Sequence, residues 1–446
     1  MDLEPPLQVP LQTAFNATTP VYHILTGSFR SFSLFLLAFN PLQLSIDLVQ
    51  TIPAFGPHQY IGLGPRLQGQ QDARYAYTTS WALPPTLQSW VYEGQPEPRV
   101  RFVESAGITA TSSYVTVPPP YTHLYAAGGP SAQVHALPAQ QAPGFGPHAQ
   151  ELYFVPQDEW ETADKTRKAL RYGSHGVEFA FPTGGPALAF IPVLGGSTIE
   201  IYSRAADGTL IHIDTSPAPQ RPGDGAAHEE EDGTRHVKVH PNGRILYCVT
   251  EHSNYLDIYR ITPPNGATPI LTYLDSRSLI PPRLRTEGNT TFRGDTLILA
   301  PSTPTHPAPQ TIFATTRGAE GSDTRGWVGV WRLDDDGLFM GDAANENNPY
   351  MLERWEATTG GGKAHALDVR VKEGEDGELD ADGALWVLLT DDSPPHPAVR
   401  VLEWDGWLWR GGGTRLREVA AWPAAGSAND EDVEQIQGGS HAVWLD

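Results

Sequence analysis

Hydrophobic and polar positions alternate over short runs in this chain, and the runs are separated by glycine, proline and asparagine turns rather than by helical repeats. The stretch TRHVKVHPNGRILYCVTEHSNYLDIYRI, residues 234–261, shows the unit most plainly. An alternating run ends at His240, a Pro241-Asn242-Gly243 turn follows, and a β-rich run covers Arg244 to Thr250. A polar turn then spans His252 to Asn254, and a last alternating run covers Tyr255 to Ile261. Three antiparallel strands follow from this pattern, because strand side chains point to alternate faces and a Pro-Asn-Gly cluster marks a tight turn. Arg235 and Glu251 fall near strand ends, where side chains can face a common channel.

The same grammar covers the rest of the chain. Strands are expected at Tyr22–Gly27, Phe32–Phe39, Arg74–Trp81, Ser89–Glu93, Arg101–Glu104, Tyr114–Val117, Tyr121–Ala126 and Gln133–Leu137, with a loop at His58–Gly64. Trp160–Tyr172 is the one good helical stretch and reads as a charged surface excursion. Outer-strand-like segments ending in an aromatic residue start at Ile199, Glu200 following; at Leu256; at Val328; and at Val399. Their spacing, with long loops included, accommodates about seven repeats around a closed ring. Inner-strand candidates with small and polar starts precede them at Gly173–Val177, Thr234–Val237, Gly361–Ala366 and Gly439–Val443, since strands crowding an axis need glycine and serine. The last of these has no room for a blade of its own, and pairs with the strand at Tyr22. The expected fold is therefore an all-β, seven-bladed β-propeller closed by its N- and C-terminal strands. Residues 1–20 form an extended lead and residues 21–446 a single domain. Acid- and glycine-rich inserts at Pro217–Gly233 and Lys372–Gly383 read as mobile surface loops.

Composition narrows the function classes. A net charge of -22 disfavours a nucleic-acid partner, which needs clustered Lys and Arg. Cys248 is the single cysteine, so an intrachain disulfide is impossible, and the fifteen histidines lack metal-ligand spacing; no metal is expected. No apolar run reaches membrane-spanning length. The polar start reads as a terminus from which a secretory signal has been removed, and Asn16 and Asn289 open N-glycosylation sequons. These place the protein in the secretory pathway or outside the cell, with a cytoplasmic location as the alternative. Oligomeric state leaves no signature in the chain.

Five segments in order, GSHGVEFAF, VKVHPNGRILYCVTEHSNYLDIYRI, TIFATTRG, TTGGGKAHAL and GGSHAVWLD, resemble the fungal carboxy-cis,cis-muconate cyclase family of seven-bladed propellers. The likeness spans Gly173 to Asp446 and is loose before that. It implies a lactonising enzyme without cofactor, with His175, Arg235, Glu251 and Arg317 as catalytic residues. Where the family has Gly-Gly-His-Ser-Asn-Ala, this chain has Gly-Gly-Lys363-Ala-His365-Ala. Lys363, His365, Trp327 and His441 are the substrate-binding candidates.

Two arginines can fix carboxylates through forked hydrogen bonds while a His or Glu moves the proton. The plainer alternative pairs Arg235 with Glu251 inside one blade and leaves His175 capping a turn. The family is also similar to fungal natural-product enzymes that accelerate hetero-Diels–Alder cycloaddition of a tropolone-derived quinone methide with a polyene such as humulene. That reaction asks for a shaped channel, for which Trp81, Trp90, Tyr114, Trp327, Trp355 and Trp386 are the wall candidates. The altered Lys363 segment and long loops favour the cycloaddition, and the four retained residues favour lactonisation. A non-catalytic propeller binding a glycan or protein on its loop face is the third class. In either enzymatic reading the partner is an unsaturated small molecule.

Overall fold

A computed structural model describes residues 20–66, 73–138, 143–183, 185–221, 232–264, 270–285, 291–319, 324–342, 346, 348–373, 383–393, 397–408, 414–424 and 436–446. Both sequon asparagines, Asn16 and Asn289, and most of the two acidic inserts lie outside these residues. Seven four-stranded antiparallel sheets are arranged as blades I to VII, with successive strands as neighbours in each. The innermost strands, in blade order, are Gly439–Trp444, His58–Arg66, Tyr114–Thr116, Glu178–Ala180, Thr234–Val239, Phe292–Leu299 and Leu367–Val371. Blade I is composite: Gly439–Trp444 pairs with Tyr22–Ser28, which pairs with Ser33–Asn40 and then Ser45–Pro53. The expected seven-bladed, end-paired ring is thus the observed architecture.

Alternation explains where the core lies. One large apolar cluster fills the space between each pair of neighbouring blades, because both faces of every sheet are covered by another sheet. At the seam, Trp444 packs against Phe39 at 6.0 Å between ring centroids, and its backbone N–H donates to Asp368 at 2.8 Å.

Four local expectations change. His58–Gly64 belongs to the inner strand of blade II rather than to a loop; its glycines and proline sit at a strand interrupted by two register shifts. Within Trp160–Tyr172 only Arg167–Arg171 is helical, as one 3₁₀ turn capped by Thr166. The segments at 199, 256, 328 and 399 are the third strands of their blades, with a further strand outside each. Gly173–Val177 and Gly361–Ala366 lead into inner strands rather than forming them, and so lie at the channel mouth.

Two glycines show how tightly the mouth is built. A Cβ on Gly173 would lie 1.8 Å from the Gly129 carbonyl oxygen, and one on Gly294 would lie 2.0 Å from that of Thr250. Both positions therefore admit only hydrogen. Replacing Trp444 by alanine should cost about 3–5 kcal/mol by emptying part of the apolar cluster between blades I and VII that the closing strand completes. Chemical denaturation followed by circular dichroism would measure this, and a loss under about 1 kcal/mol, a third of the smallest loss expected, would count against the closing strand as a stability determinant.

Candidate active site

Two adjacent blades use the same device. The register of blade V shifts between Thr234 and His236, which leaves Arg235 as an extra residue at the start of the inner strand. In blade VI the register shifts between Gly294 and Leu297, at Asp295. Such bulges re-aim a side chain out of the sheet's regular alternation. They bring the two residues together across the blade boundary: Arg235 Nη2 lies 2.6 Å from Asp295 Oδ1, and Arg235 Nε donates to the Asp295 carbonyl at 2.9 Å. Gly294, whose N–H donates to the Glu251 carbonyl at 2.9 Å, fixes the close approach of the two strands.

Around this pair the four sequence-derived residues converge. Arg235 Nη1 lies 3.1 Å from His175 Nε2 and 3.4 Å from Glu251 Oε2. Arg317, from the second strand of blade VI, donates through Nη2 to Glu251 Oε1 at 2.9 Å. Glu251 thus bridges two arginines from different blades, which an ion pair confined to one blade does not do. His175 is held by its backbone N–H, which donates to the Pro192 carbonyl at 3.1 Å. Its imidazole is buried, and burial followed by the Arg235 charge holds its pKa well below the ordinary histidine range. The ring is therefore neutral near pH 7, and its unprotonated nitrogen accepts from the guanidinium.

His175, Arg235, Glu251 and Arg317 line a cavity of about 490 Å³ at the mouth of the ring. Lys363 lines it too, with its backbone N–H donating to Asp392 and its ammonium 4.0 Å from the same carboxyl. The other binding candidates stand elsewhere. His365 is buried between blades VI and VII, where Nδ1 lies 2.9 Å from the Thr316 carbonyl. Trp327 is buried in a small cluster with Ile280 and Phe292. His441 lies deeper in the axis, with its ring 3.9 Å from that of Tyr60. Of the six aromatic wall candidates, Trp81 lines the cavity. Trp90 and Trp386 are buried between blades, Trp355 packs against a blade core, and Tyr114 faces Lys238 and Glu178 down the axis.

Sequence reasoning missed Asp295, the buried anchor of Arg235, and the segment Arg167–Tyr172, which forms a cavity wall with Arg167, Leu170 and Arg171. Asp295 left no signal, because the bulge that turns it toward Arg235 exists only once the strands pair. The wall segment had none, because its charged sequence also fits a solvated face. Among the described residues no group of three metal-ligating side chains stands together, and no helix is long and apolar enough to cross a membrane.

The fold is a seven-bladed propeller, and part of the chain resembles the lactonase propellers. The family model "Lactonase, 7-bladed beta-propeller" matches residues 179–293. The periplasmic gluconolactonase PpgL of Pseudomonas aeruginosa superposes with a TM-score of 0.61 at 16% identity, covering 90% of this chain and 96% of that one. A putative 6-phosphogluconolactonase of Bacteroides uniformis gives 0.59 at 13%, covering 95% and 99%. These two establish likeness of fold. In sequence, the chain is 27% identical over 373 residues to "Muconate cycloisomerase 1" of Cutaneotrichosporon cutaneum, covering 83% of this chain and 87% of that protein. The resemblance to a fungal muconate cyclase carried by the five motifs is therefore a relationship along most of the chain.

The buried titratable groups set a pH dependence of stability. Burial lowers the pKa of His58 and His135 to about 4 and of His441 to about 3, and holds those of His175 and His236 well below 6.5. Each binds its proton more weakly folded than unfolded, so its stabilisation is present above the ordinary histidine pKa and is lost as pH falls below it. Asp368 and Asp392, raised by burial to about 6, act oppositely: their contribution is present below the ordinary aspartate pKa and is lost as pH rises through 6. The histidines outnumber the aspartates, so the urea midpoint should rise from pH 4.5 to pH 7. A flat or falling midpoint would contradict the burial of these imidazoles.

Proposed function

We propose that the protein is a ring-forming enzyme that closes a lactone on an unsaturated, multiply carboxylated small molecule, with 3-carboxy-cis,cis-muconate as the first candidate substrate. The observation that carries this reading is the pair Arg235 and Arg317, which share Glu251 at the cavity floor beside a neutral imidazole. The sequence relationship to a muconate cycloisomerase supports it.

The chemistry follows from the charges. A carboxylate oxygen of the substrate attacks a conjugated alkene carbon and forms the ring C–O bond. The alkene electrons move toward the acceptor carboxylate, where negative charge builds up, and the adjacent carbon then takes a proton. Guanidinium groups preorganised at that carboxylate stabilise the growing charge without solvent reorganisation. His175 supplies the proton. It is neutral in the empty site because of burial and the Arg235 field; an anionic substrate offsets that field and raises the proton affinity of the ring. Imidazolium then forms next to the bound substrate and transfers its proton to carbon, which returns the ring to the neutral state of the empty site; the next proton is taken up from solvent when the next anion binds.

A second reading is favoured by one feature: Phe29 and Trp81 stand 4.8 Å apart between ring centroids on one wall, with Leu170 also lining the cavity. Such a wall suits intermolecular hetero-Diels–Alder cycloaddition of a tropolone-derived quinone methide with a polyene such as humulene, where holding two partners in register supplies much of the acceleration. Offering the carboxymuconate and the quinone methide–polyene pair in parallel, with product analysis by mass spectrometry and NMR, separates the readings. Lactone from the first and only background product from the second is the expected result.

Two substitutions test the roles. Arg317→Gln should lower kcat/KM by about 10²–10³. Glu251 keeps Arg235 as a partner in this variant, so the thermal unfolding midpoint should move little. Arg235→Gln should lower activity and also cost about 3–5 kcal/mol, because Asp295 loses its buried guanidinium. Undiminished turnover in Arg317→Gln would remove the arginine pair from the mechanism.

A further inference from the structure

The wall facing the arginine pair has a composition of its own. Phe29 follows the second strand of blade I, Trp81 follows the second strand of blade II, and Arg167 begins the 3₁₀ turn between blades III and IV. The two rings lie 4.8 Å apart at an interplanar angle of 36°. Arg167 stands over the outer face of this pair, 5.7 Å from the Trp81 ring, and Lys363 stands over Phe29 at 5.9 Å. All four residues line the same cavity as Arg235, Glu251 and Arg317. Arg167 is exposed, makes no ion pair among the described residues, and stands against the indole face. The Trp81 Nε1–H is buried with no hydrogen-bond partner among the described residues.

Two aromatic rings flanked by two cations on one cavity wall offer a ligand both a flat apolar face and positive charge. One class of ligand uses both: a flat π system lies against the rings while an oxygen anion meets the guanidinium or the ammonium. A saturated carboxylate satisfies the charges but not the faces.

We propose that Phe29, Trp81, Arg167 and Lys363 form a second subsite that binds a planar conjugated anion, an aryl or polyenyl carboxylate or enolate, while Arg235 and Arg317 hold the other end of the same substrate. This rests on the cavity being the substrate site. It specifies a substrate with two anionic ends, of which the one at the aromatic wall is part of a delocalised system. The segment Arg167–Tyr172 is then a specificity element. It is held in place because the Thr111 N–H donates to the Lys165 carbonyl at 2.9 Å and the Gly195 N–H to the Tyr172 carbonyl at 2.9 Å.

Calorimetric titration of the full chain with 2-naphthoate and with its saturated counterpart, decalin-2-carboxylate, tests the subsite without turnover. The naphthoate should bind about ten-fold more tightly. Trp81→Leu should bring the two within about two-fold, Phe29→Leu should narrow the gap in the same direction, and Arg167→Gln should weaken both ligands. Arg317→Gln should leave the ratio as it is. Equal affinities in the unaltered protein would overturn the proposal, as would a ratio that survives in whichever of Trp81→Leu and Phe29→Leu keeps its native circular dichroism. A preserved ratio in a protein that closes no lactone would sink the proposed reaction while supporting the subsite.

Discussion

Everything in this molecule depends on the pairing of Gly439–Trp444 with Tyr22–Ser28. A ring of twisted sheets has no stable open form of the same shape, because an unclosed ring leaves a sheet edge and two uncovered apolar faces. Closure places Val443 and Leu445 against blade II and Ala442 and Trp444 against blade VII, so a single strand completes two of the inter-blade clusters. Once the ring is closed, each inner strand is pressed against its neighbours, and positions such as Gly173 and Gly294 tolerate only hydrogen. The site inherits its rigidity from that crowding.

Electrostatics at the mouth runs against the chain as a whole. The protein carries a formal charge of -22, yet Arg167, Arg171, Arg235, Arg293, Arg317 and Lys363 line the cavity with Glu251 as the one carboxyl among the lining residues. The compensating carboxyls stand one layer behind: Asp295 under Arg235, and Asp392 under Lys363 and Arg30. Concentrating positive charge at an opening in an acidic surface focuses the field on small anions. The acidity of the remaining surface discourages larger polyanions, which meet repulsion around the rim.

The sequence made the ring legible because period-2 alternation and turn residues report directly on strands, and four short polar starts report on the axis. It also marked His175, Arg235, Glu251 and Arg317, since each lies in a motif that resembles those of the muconate cyclase family. What stayed hidden has physical causes. Asp295 looks like any acidic residue until the bulge turns it toward Arg235, and a register shift is a property of paired strands rather than of one segment. His365 and His441 are polar residues whose sequence positions promise exposure, but inner-strand packing buries them. Arg167 sits in a charged stretch that reads as solvated, and only the fold of the insert shows that it reaches the cavity. Residues near the axis were easier to place than residues arriving from loops, because strand geometry constrains the former and long-range packing decides the latter.

The seam is also the one joint in the ring that no covalent chain crosses. In a seven-membered circle the blades farthest from blade I are IV and V, which supply His175, Arg235 and Glu251. Thermal loosening at the seam therefore reaches those residues last. It reaches Phe29 first, because that residue directly follows the strand that the seam holds. The two halves of the cavity accordingly stand in different relation to ring closure: His175, Arg235 and Glu251 of the ionic floor lie across the ring from the seam, whereas Phe29 of the aromatic wall lies beside it. An ancestral propeller could change the shape of what it accepts by altering the wall while its charged floor stayed as it was.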